Sequence, residues 1–342
     1  LLPLLVLQAS VGVRSPVRSI AIDPHLFHPA HGIRRLLVVT DRAELCELSA
    51  GSGDVLCVQR GHSSSCAAGA FGGSGGELWG LATHPTDADT FVTVSDDRML
   101  RLWSIKARRM VKEASLELPA RAVCFSSNGQ TILVGCGNGA GLLHSPTKNS
   151  LSDGYFLLID TASLQVIHKR RDTSSWIREA SFGPNDELFA LAAADKRIYI
   201  YRNDASKRFK LKCILHSHTA PITSLDFSSD GSFIQSTSSE GELLVHNTEY
   251  GNVMALPSQL KTIQWATVTS TYGWPVLGLW PICDAVAASE INVAETCPSS
   301  ALGCDDPISV DRSRDGKYLV ACSSSGKLQL LHYPVKTRPK DH

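Results

Sequence analysis

Four side chains between Gly61 and Trp103 are of types that do chemistry together: His62, Ser95, Asp97 and Trp103. A hydroxyl, an imidazole and a carboxylate can act as nucleophile, base and the acid that orients the base, the set used in acyl transfer. Two glycine patterns also carry chemical meaning on paper. GCGNGA (Gly135 to Ala140) satisfies GxGxxA after an apolar strand, the pattern that cradles a dinucleotide phosphate. GGSGG (Gly72 to Gly76) satisfies GxSxG, a serine on a nucleophile elbow. Both patterns work only when a helix follows at once. GLLHSPTKNS, with Pro146, follows the first, and a flexible glycine-serine loop surrounds the second. They read as glycine turns, and no cofactor or metal site is expected.

The spacing of the Ser, Asp and Trp argues for fastening rather than catalysis. They stand in SDDRMLRLW (Ser95 to Trp103), a small-residue strand end, an Asp-containing tight turn and an alternating strand closing on Trp. The approach to it is ELWGLATHP (Glu77 to Pro85). This is the turn-and-strand core of a WD-repeat blade, in which the indole N–H, a Ser hydroxyl, the turn Asp and a loop His form a buried chain of hydrogen bonds. Trp103, Ser95 and Asp97 occupy the matching positions, and His62 is the available fourth member. SSSCAAGAFGGSGG (Ser63 to Gly76) separates His62 from the blade's first strand, a longer gap than such blades carry.

Repetition extends that unit into an architecture. Strand-like runs with turn formers between them group into six blades. The first lies within Val17 to His62, the second within Glu77 to Ala114, and the third starts at Ala120 and is split by AGLLHSPTKNSLSD before Gly154. The fourth blade has Asp195 at its turn and Tyr201 where Trp would stand; the fifth has Glu240 for the turn Asp and His246 for Trp. The sixth starts with a strand at TIQWATVTS (Thr262 to Ser270), is interrupted after it, and ends at YPVK. The turns FSSNG, FGPND, FSSDG and RSRDG mark one hairpin recurring blade after blade. The fold expected is all-β, a WD-repeat propeller of about six recognisable four-stranded blades, or an incomplete seven-bladed ring. It covers 15–335, between an apolar segment at 1–14 and a tail at 336–342.

Composition narrows the function classes. Lys and Arg number 33 and Asp and Glu 33, so no broad field draws the chain onto nucleic acid. The ten cysteines include no CxxC pair, and Cys46, Cys57, Cys124 and Cys136 fall in strand-like runs, which suits small buried hydrophobes in a reducing compartment. LLPLLVLQAS lacks a basic leader, and GWPVLGLWPICDAVAA holds two prolines and an acid, too broken for a membrane span. A cytoplasmic protein with no membrane, nucleic-acid or small-molecule partner is expected.

Three passages go beyond generic repeats: ELWGLATHP with its SDDRMLRLW turn, IQWATVTSTYGWPVLGLWP, and KLQLLHYPVK. In order and separation, from about Val17 to Lys336, they resemble the C-terminal propeller of the echinoderm microtubule-associated protein-like (EML) family. Members of that family carry two fused propellers after a hydrophobic motif and often a coiled coil, and associate with tubulin or microtubules. The resemblance implies a non-catalytic interaction module at the microtubule cytoskeleton. This sequence shows neither a preceding propeller nor a heptad segment and stops where members continue into a further blade, so it is expected to be a piece of such a protein. The alternatives are a WD scaffold of another cytosolic complex, and a propeller enzyme with His, Asp or Glu side chains converging on its axis.

Candidate partner contacts follow from charge and exposure. Lys106, Arg108 and Arg109, and Lys207, Arg208, Lys210 and Lys212, fall at or near third-to-fourth-strand hairpins, while Lys169, Arg170 and Arg171 end a fourth strand. These are solvated strand ends, or docking points for an acidic partner such as tubulin. Trp274 and Trp280, each followed by proline, either plug the propeller's end or anchor a partner.

Overall fold

The runs TILVGC, YFLLID and LFALAA are apolar at nearly every position rather than at alternate ones, the pattern of strands covered on both faces. RMVKEAS and VIHKRR are mostly polar instead, as strands open to water are. The structure, a computed structural model, places them accordingly. It describes residues 17–22, 27–28, 32–33, 35–40, 44–49, 55–62, 78–137, 153–203, 209–254, 260–279, 307–323 and 328–336. Two compact units divide the chain, Leu1–Phe125 with Gly129–Trp176, and Ser126–Asn128 with Ile177–His342.

The first unit holds three four-stranded antiparallel sheets. One combines β1 (Val17–Ile22), β4 (Arg35–Thr40), β5 (Glu44–Ser49) and β6 (Val55–Arg60); the loop after β1 forms a small ladder of β2 (Phe27–His28) and β3 (Gly32–Ile33). The second sheet is β7 (Leu78–Thr83), β8 (Thr90–Ser95), β9 (Met99–Ser104) and β10 (Arg109–Ser115). The third is β11 (Ala120–Phe125), β12 (Thr131–Cys136), β13 (Tyr155–Asp160) and β14 (Val166–Arg171). Val92, Val94, Leu100, Ile132, Val134 and Ile159 form the core joining the last two sheets, each stabilising the fold by roughly 1.5–3 kcal/mol. Gly80 of ELWG permits the approach, because a Cβ there would stand 2.5 Å from Val94 and 3.0 Å from Val123.

The second unit begins with β15 (Ile177–Phe182), β16 (Leu188–Ala193), β17 (Ile198–Asn203) and β18 (Phe209–Leu215) in one sheet. Two three-stranded sheets follow, β19 (Ile222–Phe227), β20 (Phe233–Ser238) and β21 (Leu243–Asn247), then β22 (Pro307–Arg312), β23 (Tyr318–Ser323) and β24 (Leu328–His332). The expected count of about six four-stranded blades, or seven in an incomplete ring, is therefore not met among the described residues: four sheets have four strands and two have three. After β21 the chain makes a single bridge, Val253 to His246. TIQWATVTS, expected as a strand, is irregular. It lies against β19 through one bridge, Trp265 to Ser228, and through Ala266 N–H to Phe227 O at 2.8 Å.

The recurring turn is a real repeat. In SSN, SSD and SRD the first serine donates its hydroxyl to the Asn or Asp two residues on: Ser126 to Asn128 at 2.8 Å, Ser228 to Asp230 at 2.6 Å, and Ser313 to Asp315 at 2.6 Å. The following glycines, Gly129, Gly231 and Gly316, take φ of 72°, 74° and 67°. That conformation favours glycine, and in the GPND version Asp186 adopts it with φ 59°.

Candidate functional site

Antiparallel register pairs Phe91 of β8 with Trp103 of β9, and the two rings stack with centroids 6.0 Å apart. Phe91, Thr93 and Ser95 share one face of β8 at steps of roughly 7 Å. The indole therefore reaches its diagonal neighbour: Trp103 Nε1 donates to Thr93 Oγ1 at 2.7 Å. Thr93 Oγ1 lies 2.8 Å from His62 Nε2, and His62 Nδ1 lies 2.9 and 3.0 Å from the Asp97 oxygens. Trp103 can only donate, so Thr93 Oγ1 accepts the indole N–H, and His62 Nδ1 also lies 2.6 Å from Arg101 Nη1. The expected Ser95 is not the intermediary. It is buried one step further along the strand, where its hydroxyl accepts the Asp97 N–H at 3.4 Å.

Arg101 completes the set, donating from one guanidinium nitrogen to Asp97 Oδ2 at 2.8 Å. Met99 N–H donates to Asp97 Oδ1 at 2.9 Å. Burial pushes the Asp97 carboxyl up, yet the bonds from His62 and Arg101 outweigh it and hold the carboxyl below its ordinary range.

The same address can be read in two other sheets. In β16–β17, Tyr201 pairs with Phe189 and stacks on it at 4.6 Å, and Tyr199 donates to Asp195 at 2.7 Å, as Arg101 does to Asp97. The position that carries the hydroxyl in β8 is Leu191 there. In β20–β21 the relay returns with different members. His218 places Nε2 2.7 Å from Ser236 Oγ and Nδ1 3.0 Å from Glu242 Oε2. The carboxylate is Glu242 rather than the expected Glu240, which is exposed. Strand alternation explains the shift: a longer side chain two residues on reaches the same imidazole. His246, at the Trp position, is buried with Nε2 3.1 Å from Ser217 Oγ and no partner for Nδ1 among the described residues. Burial, then His218, depresses its pKa to about 4. Hydrogen bonds led by Thr219 hold Glu242 down at about 2.

These sets have the outline of hydroxyl–histidine–acid triads but not the access. Thr93 and Ser236 are buried, and Trp103 occupies the Thr93 oxygen a substrate would need. Among the described residues no group of three His, Cys, Asp or Glu side chains could hold a metal ion. Cys46 and Cys136 are buried, and burial pushes the Cys136 thiol up to about 12. The Cys57 side chain lies outside the described residues.

Two polar centres carry no motif in the sequence. Arg121 lies beside two indoles, 4.3 Å from the Trp79 ring and 4.8 Å from Trp176. It donates to both Asp96 oxygens at 2.9 and 2.7 Å, and Asp96 is the first acid of the SDD turn, beside Asp97. Gly137, the third residue of GCGNGA, makes room for Trp176, since a Cβ there would meet Trp176 Cβ at 2.3 Å. In the second unit, buried Asp226 accepts from Gln235, Thr267, Thr269 and Ser270. The signal that could have located these centres is an acid in an otherwise apolar strand, or a turn acid beside the motif one.

Of the candidate partner contacts, Lys106, Arg108 and Arg109 are exposed on the β9–β10 hairpin, and Lys210 is exposed on β18. Lys207, Arg208 and Trp280 lie outside the described residues, as do the insertions at 63–76 and 284–306 and nearly all of that at 140–153. Lys169 pairs with Glu117 and Arg170 with Asp172. Trp274 opens a short 3-10 helix, Trp274–Leu279, that buries Val276 while its own ring stays exposed under Lys261 Nζ at 4.1 Å.

Repeated antiparallel sheets, one recurring hairpin and buried relays between strand and turn define an all-β propeller. Residues 78–342 match the family model for the second β-propeller of the echinoderm microtubule-associated protein. The chain belongs to that family. It is 30% identical over 261 residues to mouse echinoderm microtubule-associated protein-like 2, covering 75% of this chain and 35% of that protein. With the human protein of the same name the figures are 29% over 322 residues, 93% and 41%. The 77 kDa echinoderm microtubule-associated protein of Lytechinus variegatus is 26% identical over 260 residues, 76% and 34%. The chain thus spans about a third to two-fifths of the length of these relatives.

Proposed function

We propose that this chain is a non-catalytic protein-interaction propeller of a cytoplasmic microtubule-associated protein, binding tubulin or microtubules through its loop and hairpin ends. The observation that carries the reading is how polar groups are used. Histidines, hydroxyls and acids that could do chemistry are consumed in fastening strand to turn, while Lys106, Arg108 and Arg109 are exposed on one hairpin. The relatives' names support the partner, and a basic hairpin suits an acidic surface. On this reading the six sheets are about six blades of one propeller over 15–335, and His62, Asp97 and Trp103 have a structural role. No cofactor, nucleic acid, membrane or small-molecule substrate is involved. Among the described residues no helix is long and apolar enough to cross a membrane.

Co-sedimentation with microtubules and with free tubulin, for this chain and for a full-length relative, tests the proposal. Binding should weaken as salt rises from about 0.05 to 0.3 M, because screening shortens the reach of surface charge, and the triple change Lys106→Glu, Arg108→Glu, Arg109→Glu should weaken it further. Full-length binding with none by this chain at any salt would move the activity to another part of the relative. No binding by either would favour a scaffold of a different complex.

A further inference from the structure

Lys169, Arg170 and Arg171 end β14, and the chain continues through Asp172 and Thr173 to Ser174. Lys169 and Arg170 are held in ion pairs, with Glu117 and with Asp172 at 2.7 Å, whereas Arg171 donates to a neutral group, the Thr173 carbonyl, at 3.3 Å and lies 5.3 Å from the Tyr155 ring. The cations sit upstream of a short loop that presents a hydroxyl. β14 is the outer strand of its sheet, hydrogen-bonded on one side only, so its end is open to an approaching enzyme.

We propose that Ser174 is a phosphorylation site for a serine/threonine kinase that reads arginine upstream of the target hydroxyl. The sequence offers two acceptors, Thr173 with Arg170 three residues before it and Ser174 with Arg171 three residues before it. The structure separates them. Thr173 is half-buried; its Oγ1 accepts the Ser175 N–H at 3.1 Å, and its carbonyl is packed on Gly154, where even a Cβ would stand 1.8 Å away. Ser174 is exposed at the bend and its hydroxyl makes no hydrogen bond among the described residues. The kinase would recognise the guanidinium of Arg171 through its own carboxylates, by charge-assisted bonds.

In the transfer, Ser174 Oγ attacks the γ-phosphorus of ATP, the bond from that phosphorus to the bridging oxygen breaks, ADP leaves, and the hydroxyl proton passes to the kinase base. The product changes the local charge. Lys169, Arg170 and Arg171 against Asp172 leave a formal +2 on this strand end, and a phosphoserine adds about −1.5 to −2. The strand end becomes close to neutral, and the phosphate competes with Asp172 for Arg170.

The test is phosphorylation of the folded chain with the purified catalytic subunit of an arginine-directed kinase and Mg-ATP, with the site located by fragment mass spectrometry. One phosphoryl group at Ser174 is expected, lost in Ser174→Ala, retained in Thr173→Ala, and slowed about tenfold in Arg171→Ala through the missing charge-assisted bond. Melting curves of each variant establish that the labelled species is folded. Labelling of Thr173 or Ser175 in place of Ser174, undiminished labelling of Ser174→Ala, or labelling only after the chain is unfolded would overturn the assignment.

Discussion

Trp103 gives its indole N–H to Thr93, at 2.7 Å, and not to the serine two residues further along the same strand. The Thr93 hydroxyl then serves both as acceptor from the indole and as the link to His62. Replacing it by valine keeps shape and volume but leaves the Trp103 donor and His62 Nε2 buried and unmatched. Thr93→Val should therefore lower stability by about 1–3 kcal/mol. Thr93→Ser, which keeps the oxygen, should recover most of that loss. Urea unfolding of the two variants side by side checks it, and equal losses would mean that the methyl packing rather than the hydroxyl matters.

The relay on β20–β21 differs in its acid response. His246 is held neutral, with its folded pKa about 4 against an ordinary 6.5. Between those values the unfolded chain binds the proton and the folded chain does not, so stability is complete above pH 6.5 and falls as pH drops toward 4. A shift of that size corresponds to about 3 kcal/mol. Glu242 acts in the same direction lower down: its folded value of about 2 lies below the ordinary 4.5, so its contribution is lost as pH falls from 4.5 to 2. Hydrogen exchange should show β20 and β21 loosening between pH 6.5 and 4, and His246→Phe should flatten that part of the profile.

Fold class was legible because it rests on repetition. The hairpins of FSSNG, FSSDG and RSRDG have the same hydroxyl-to-side-chain bond and the same left-handed glycine, and it is their recurrence, not any one of them, that marks the repeat. The relay was legible only in outline. His62 faces Asp97 and is linked to Trp103 through Thr93, but the choice of Thr93 over Ser95, and of Glu242 over Glu240, is set by strand register and side-chain length, which spacing along the chain does not encode. The strand expected at Thr262–Ser270 failed for another reason. Its alternation of Thr and apolar residues is a strand pattern, but the backbone and hydroxyls of Thr267, Thr269 and Ser270 bind a buried carboxylate instead of a neighbouring strand.

The choice between the two glutamates gives a direct comparison. Glu242 accepts from Thr219 Oγ1 at 2.5 Å and from Thr219 N–H at 3.1 Å as well as facing His218. Glu242→Gln should cost about 1–2 kcal/mol, since a charged acceptor of several bonds becomes a neutral amide. Glu240→Gln, an exposed change, should stay within about 0.5 kcal/mol. Thermal melts of the pair decide whether the carboxylate was assigned to the right turn position.

Arg121 holds together residues far apart in sequence, with its guanidinium 4.3 and 4.8 Å from the Trp79 and Trp176 rings and bonded to Asp96. A planar guanidinium can stack on both rings while keeping two parallel bonds to a carboxylate; an ammonium cannot. Arg121→Lys should therefore be nearly as damaging as Arg121→Ala, each at about 1–3 kcal/mol. Indole fluorescence should shift to the red as Trp79 and Trp176 gain water. A lysine variant with wild-type stability would reduce the contact to simple charge pairing.

Asp226 makes the strongest claim on the second unit. It is wholly buried, and its oxygens are satisfied by Gln235 at 2.9 Å, by the Thr267 hydroxyl at 2.7 Å, and by Thr269 and Ser270 N–H at 2.9 and 3.2 Å. Arg312 secures the same segment from the other side, donating to the carbonyls of Trp265 and Ala266 at 2.8 Å each. With those bonds in place Trp265 and Val268 enter the core beside Val310 and Leu319. Asp226→Ala removes the acceptor while leaving its donors buried and unmatched, which costs about 1–3 kcal/mol for such a group. Asp226→Asn keeps one carbonyl oxygen but turns an amide N–H toward donors, so it should fall between. Limited proteolysis reads the result locally. Cleavage should appear first between Lys261 and Ser270 in the alanine variant, with the β7–β10 sheet still protected. If protection of both regions is lost together, the segment is part of the general core and Asp226 is not its particular anchor.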